Sequence, residues 1–103
     1  MPILYQDCSS ELAASAFARL RRQQTALWDR SQPMDRWPDV PVASIHCEED
    51  RAVNPLWSRW VFRRHLGIES VGLPGGHSPM LSRPALLAET LVSITDHSAV
   101  VSG

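Results

Sequence analysis

Lysine is absent from this chain: all ten cationic side chains are arginine. Eleven acidic residues leave a formal net charge of −1, and no basic block occurs, so a nucleic-acid surface is not expected. The arginine-only usage is what GC-rich, bacterial-type coding would leave, and no function is read from it. Cysteine is scarce: Cys8 and Cys47 cannot make a disulfide framework, and a reducing, cytoplasmic setting is the expectation. No apolar run approaches the roughly 20 residues of a membrane span, so no membrane partner is expected. The opening "MPILYQDCSS" has neither the basic region nor the long apolar stretch of a signal peptide. Internal repeats and low-complexity segments are missing too. What remains is 103 residues, 44% of them hydrophobic, which is at most one small globular domain.

Ser9 can cap a helix, and Glu11 suits the positive end of its dipole. Ala13, Ala16, Phe17 and Leu20 recur at helical spacing, which predicts a helix from about Ser10 to Gln23 whose alanine face packs closely on another element. From Gln24 to Pro41 the periodicity fails. "DRSQPMDRWPDVP" carries three prolines and alternating charges and reads as a loop or a short irregular helix. Trp28 and Trp37 are expected to pin it to a core. Val42 to Cys47 is a mostly apolar run ahead of Glu48, Glu49 and Asp50, which predicts a strand buried on both faces of a parallel sheet. Asn54 caps a second helix with Pro55 at its first position, Trp57, Trp60 and Val61 as its apolar stripe, and Gly67 at its end. Glu69 to Leu73 is the second strand, closed by Pro74. Pro84 opens a last helix with Leu87, Leu91 and Ile94 as its stripe, and the tail from Asp96 is expected to fray.

Strand, helix, strand, helix is a βαβα unit, whose crossover makes the two strands parallel neighbours. Both loops then leave from the same edge of the sheet, where open α/β sheets bind ligands. Neighbouring strands lie about 4.8 Å apart, so residues just past their ends can touch. Asp50 follows the first strand and His77 the second, on a Gly-Gly turn that lets the imidazole swing back toward the carboxylate. A carboxylate bonded to one imidazole nitrogen sets the tautomer and leaves the other nitrogen as a base. Glu48 and Glu49 compete as acids, but they lie nearer the strand, where side chains alternate between faces.

"IHCEEDRAVNPLW" followed by "LPGGHSPMLSRPALLAETL" resembles the C-terminal part of an α/β-hydrolase fold enzyme. The upstream "LYQDCSSELAASAFARLRRQQTALW" is similar to the end of the cap region in the plant methylesterase and hydroxynitrile lyase branch, where a comparable "LY-x-x-C" leads into a helix. In that family the triad runs nucleophile, acid, histidine along the chain, so the resemblance gives the acid's role to Asp50 and the histidine's to His77. It implies an α/β fold consisting of the C-terminal portion of a hydrolase, with two parallel strands, about three helices and an incomplete sheet. Residues 1–38 would be the end of a cap and residues 39–103 the βαβα part of the core. It also implies a small-molecule ester substrate for the parent enzyme and no cofactor. Trp28, Met80 and Leu81 are candidate walls of an apolar substrate pocket, or simply core.

One motif is missing. There is no G-x-S-x-G, and the expectation is that the nucleophile elbow and oxyanion loop belong before residue 1. Ser78 follows His77 without an elbow, and Cys47 inside a strand reads as a small buried hydrophobe. The chain alone is therefore expected to be catalytically silent and marginally folded, needing the missing half or self-association. A non-catalytic remnant or interaction protein is the alternative. A metal site on His46, Cys47 and Glu48 is not expected, because adjacent strand residues point to opposite faces and neither C-x-x-C nor H-x-x-x-H is present.

Overall fold

Two short runs, β1 (Ile45–Cys47) and β2 (Val71–Leu73), pair in parallel to form a two-stranded sheet. The computed structural model describes residues 3–27 and 36–102. The register sets Ile45 opposite Val71, His46 opposite Gly72 and Cys47 opposite Leu73. Backbone bonding extends past both ends: the Val71 amide donates to the Ser44 carbonyl at 2.8 Å, the Glu48 amide to Leu73 at 2.9 Å and the Glu49 amide to Gly75 at 3.0 Å. The loops beyond the strands therefore stay stitched together.

Around the sheet lie α1 (Ser10–Ala18), α2 (Pro55–Leu66), α3 (Pro79–Ser82) and α4 (Pro84–Ser102), with a 3₁₀ turn at Thr25–Leu27. Four helices on an incomplete, open parallel sheet match the expected α/β class, and α3 is the addition. No element was expected over 79–82, but Pro79 at the first helical position pre-sets its dihedral, and the Ser78 carbonyl collects the Leu81 and Ser82 amides at 3.0 and 3.1 Å. The second helix has the expected ends: the Asn54 side chain accepts from the Leu56 amide at 2.9 Å, and Gly67 closes it at φ 66°.

Several expectations fail for one reason, which is that little surface is available to pack against. The α1 helix stops at Ala18 rather than near Gln23, where the Arg19 and Leu20 amides tighten onto Ala16 and Phe17. Residues 18–26 are exposed, so nothing offsets the entropy of further turns. No α1 residue is buried, and Phe17 is 50% exposed, so the alanine face is not tightly packed. The closest packing among the described elements is β1 on β2, α2 on β1, and α3 on α4. Trp57 and Trp60 stand exposed, with Arg64 over the Trp60 ring, while Val61 and Phe62 are half-buried. Trp37 is also about half exposed rather than enclosed in a core, and Trp28 lies outside the described residues.

On α4 the half-buried line is Leu86, Leu87, Thr90 and Ile94, with Leu91 turned outward. The helix runs on to Ser102 because no glycine or proline interrupts it after Pro84. The strands are not covered on both faces: Ile45 and His46 are half-buried and Val71 is exposed, while Cys47 and Leu73 carry the buried apolar core of the described residues.

At 2% exposure Leu73 is the most deeply buried large side chain described. Leu73→Ala is expected to cost about 2–5 kcal/mol by urea denaturation, against about 0.5 kcal/mol or less for exposed Val92→Ala. Equal losses for the two would mean that the β1–β2 seam is not the stabilising core.

Candidate active site

Past Cys47 the chain turns through Glu48 and Glu49, and the two ladder-like bonds onto Leu73 and Gly75 hold that turn beside the loop after β2. Asp50 emerges from it with its own amide bonded to the Cys47 carbonyl at 3.2 Å. Its Oδ1 accepts from the Ala52 and Val53 amides at 2.8 and 2.9 Å, a side-chain turn that aims the carboxyl group without help from outside the loop. Gly75, at φ 109°, reverses the chain after β2 in a conformation that suits glycine. His77 follows, and its Nδ1 lies 2.9 Å from Asp50 Oδ2 and 3.1 Å from Oδ1.

A carboxylate only accepts, so this geometry places the ring proton on Nδ1 and leaves Nε2 as the nitrogen for proton transfer. The Asp50 side chain is 10% exposed and that of His77 35%, so the acid is sheltered while the base keeps an open side. Burial pushes the Asp50 carboxyl up, but the Val53 amide, the His77 ring and the Ala52 amide outweigh it and hold the group below its ordinary range. Asp50 is thus an ionised hydrogen-bond acceptor for the imidazole.

The other acids do not take this place. Glu48 is exposed and lies over Gly72, and Glu49 Oε1 accepts from the Gly75 amide at 3.3 Å. Two residues that the sequence did not single out touch these loops: Gln6 Nε2 donates to the Glu49 carbonyl at 2.6 Å, and Asp7 Oδ2 accepts from the Gly76 amide at 2.9 Å. Nothing in "LYQDC" marks them, since the contacts span 43 and 69 residues.

The pair opens on a cleft of about 350 Å³ whose walls include Asp50, His77, His46, Val53, Pro79 and Met80. Met80 is exposed at its rim. Leu81, one residue further round the turn, is half-buried and is not part of the wall, as the 100° step between helical neighbours implies. A larger groove of about 610 Å³, between Val71 and α4, contains neither Asp50 nor His77 and is the uncovered side of the sheet.

His46, also unremarked as a catalytic candidate in the sequence, reaches the same cleft. Its Nδ1 lies 2.8 Å from the Ser70 hydroxyl, which in turn is 3.1 Å from that of buried Ser44. A hydroxyl rather than a carboxylate partners it, so it lacks the charge that supports His77.

Ser78 is 7% exposed and caps the one-turn α3 at φ −119°. Among the described residues no non-glycine has positive φ, so none occupies the strained strand-to-helix turn of an exposed nucleophile. Burial, followed by the charges of Asp50 and Asp7, raises the Cys47 thiol above its ordinary value, which keeps it protonated and unreactive. Among the described residues no group of three His, Cys, Asp or Glu side chains is placed to hold a metal ion, and no helix is long and apolar enough to cross a membrane.

A family model described as the alpha/beta hydrolase family matches residues 2–90. Neither a curated protein nor a solved structure matches the chain.

The Asp50 environment has a pH consequence. A carboxyl held lower in the folded state than in the unfolded one adds stability that is complete above the unfolded value and is lost as pH falls through the folded one. Urea midpoints should therefore fall on acidification from about pH 5 to about pH 3, and Asp50→Asn should remove part of that fall. An unaltered acid slope in Asp50→Asn would contradict the assigned environment.

Proposed function

The chain belongs to the alpha/beta hydrolase family, and on that premise we propose that it is the acid-and-histidine part of an esterase-type serine hydrolase. The observation that carries the reading is the 2.9 Å bond from His77 Nδ1 to Asp50 Oδ2, made by loops that leave adjoining parallel strands at the same edge. His77 Nε2 takes the proton of a serine hydroxyl as its oxygen attacks the ester carbonyl. Asp50 holds the ring in the required tautomer and stabilises the imidazolium that forms. The proton then passes to the departing alcohol, leaving an acyl-enzyme. Water, deprotonated in turn by His77, releases the acid.

The nucleophile and its oxyanion donors come from outside these 103 residues, since no G-x-S-x-G is present. Residues 1–38 serve as the end of a cap, and Met80 at the cleft rim contacts an apolar acyl or alcohol group of the ester. Trp28 is a further candidate for that pocket, while Leu81 lies outside the cleft wall. Within the family, the methylesterase and hydroxynitrile lyase branch is the one the "LY-x-x-C" segment favours. Of its two chemistries we favour ester hydrolysis. A hydroxynitrile lyase of that branch has a lysine after the histidine, whose charge stabilises departing cyanide, and this chain has Ser78 there and no lysine. A neutral hydroxyl cannot supply that charge.

The exposed Leu56, Trp57, Trp60, Leu91 and Val92 favour a second reading, a non-catalytic interaction protein that keeps part of the hydrolase fold. The two separate by assay. The chain alone is expected to turn over a small activated ester no faster than buffer. Joined to a polypeptide that supplies the elbow serine, it should hydrolyse the ester, and His77→Ala should lower kcat by about 10³-fold or more. Turnover by the chain alone that vanishes in His77→Ala would reveal a nucleophile within it. Cyanohydrin cleavage without esterase activity in the joined protein would refute the ester assignment.

A further inference from the structure

We propose that Gln6 and Asp7 form a clamp that fixes the position of the acid and histidine loops over the strand ends, making both positioning residues for the Asp50–His77 pair; this rests on the roles proposed above for that pair. Each prong grips the residue immediately before a functional one. Gln6 Nε2 donates to the carbonyl of Glu49, ahead of Asp50, at 2.6 Å, and Asp7 Oδ2 accepts from the amide of Gly76, ahead of His77, at 2.9 Å. Because the two side chains are neighbours in sequence, they tie the two loops to one point on the chain. The loops also bond each other, through the Glu49 amide to Gly75 at 3.0 Å and the Gly75 amide to Glu49 Oε1 at 3.3 Å. Those bonds fix the loops' separation but not their position over the strand ends, which the clamp supplies.

The glycines are shaped for it. A Cβ on Gly76 would come within 2.9 Å of Asp7 Oδ1 and Gln6 Nε2, and one on Gly75 within 2.7 Å of Asp7 Oδ2 and 2.6 Å of Arg83 Nε. Arg83 Nε itself stands 3.8 Å from Asp7 Oδ2 and keeps a positive charge beside the prong. Burial raises the Asp7 carboxyl, but the Gly76 amide, the Ser82 hydroxyl, its own backbone amide and, last, the Arg83 charge outweigh it and leave the group below its ordinary range, so the prong is an ionised acceptor. Gln6 Oε1 and Asp7 Oδ1 are buried without hydrogen-bond partners among the described residues.

The test reads the His77 Nδ1 proton rather than activity. The full chain, labelled with ¹⁵N and held folded by an osmolyte, is compared with Gln6→Ala, Asp7→Ala and Asp7→Asn for solvent exchange of that proton and of the Glu48 and Val71 ladder amides. The alanine variants should speed exchange of the Nδ1 proton by about tenfold or more while the ladder amides hold. Asp7→Asn, whose amide oxygen still accepts from Gly76, should stay within about twofold of wild type. If Asp7→Ala loses ladder protection, Gln6→Ala carries the decision. Unchanged Nδ1 exchange in the alanine variants overturns the clamp and leaves the acid–histidine pair standing, as does exchange that rises only in step with the ladder amides. A wild-type chain with no protected Nδ1 proton overturns the clamp and removes the basis of the pair together with it.

Discussion

A parallel ladder that outlasts its own strands is the constraint on which the rest of this molecule depends. Each strand is three residues long, yet backbone bonds run from the Ser44 carbonyl to the Gly75 carbonyl, so the segments after the strands remain paired. Parallel pairing puts both chain exits at one edge, and continued pairing keeps the exits at strand spacing. Asp50 and His77 are therefore neighbours before either side chain forms a specific contact. The local turn at Asp50 then aims the carboxylate, and the glycine reversal at Gly75 brings the imidazole to it.

The same ladder leaves the protein short of a core. A two-stranded sheet has faces and an edge to cover, and such sheets are marginal without further strands. The α2 helix covers part of β1, while Val71 and several large apolar residues of α1, α2 and α4 remain open to solvent. Burial gathers instead at the strand ends, where Cys47, Leu73, Gly75, Gly76, Ser78 and Pro79 are enclosed. The most enclosed part of the molecule is thus the part that holds the candidate site.

Electrostatics follow from that enclosure. Asp7 and Asp50 are both held below their ordinary range although burial alone would raise them, because backbone amides are turned toward each carboxylate. Their charges add to burial in keeping the Cys47 thiol protonated. By contrast the Arg63–Glu69 pair, 2.6 Å apart but more than 60% exposed on both sides, lies in water and is worth little to stability.

Wherever a rule of local chemistry applied, the amino-acid sequence was enough. Asn54-Pro55 and Gly67 bounded α2, the apolar runs located the strands but overstated their length, Val42–Cys47 and Glu69–Leu73 against Ile45–Cys47 and Val71–Leu73, and their order implied parallel exits that bring Asp50 to His77. Local rules failed where the answer depended on what another segment offers. The α1 helix is shorter than its periodicity because no described residue encloses its expected second half, and Trp57, Trp60 and Leu91 are exposed because no described neighbour covers their faces. Gln6 and Asp7 were invisible because a glutamine or an aspartate carries no mark of a partner 43 or 69 residues away. Periodicity and capping are properties of neighbouring residues and can be read along the chain, whereas burial and long-range hydrogen bonding exist only once the chain has closed on itself.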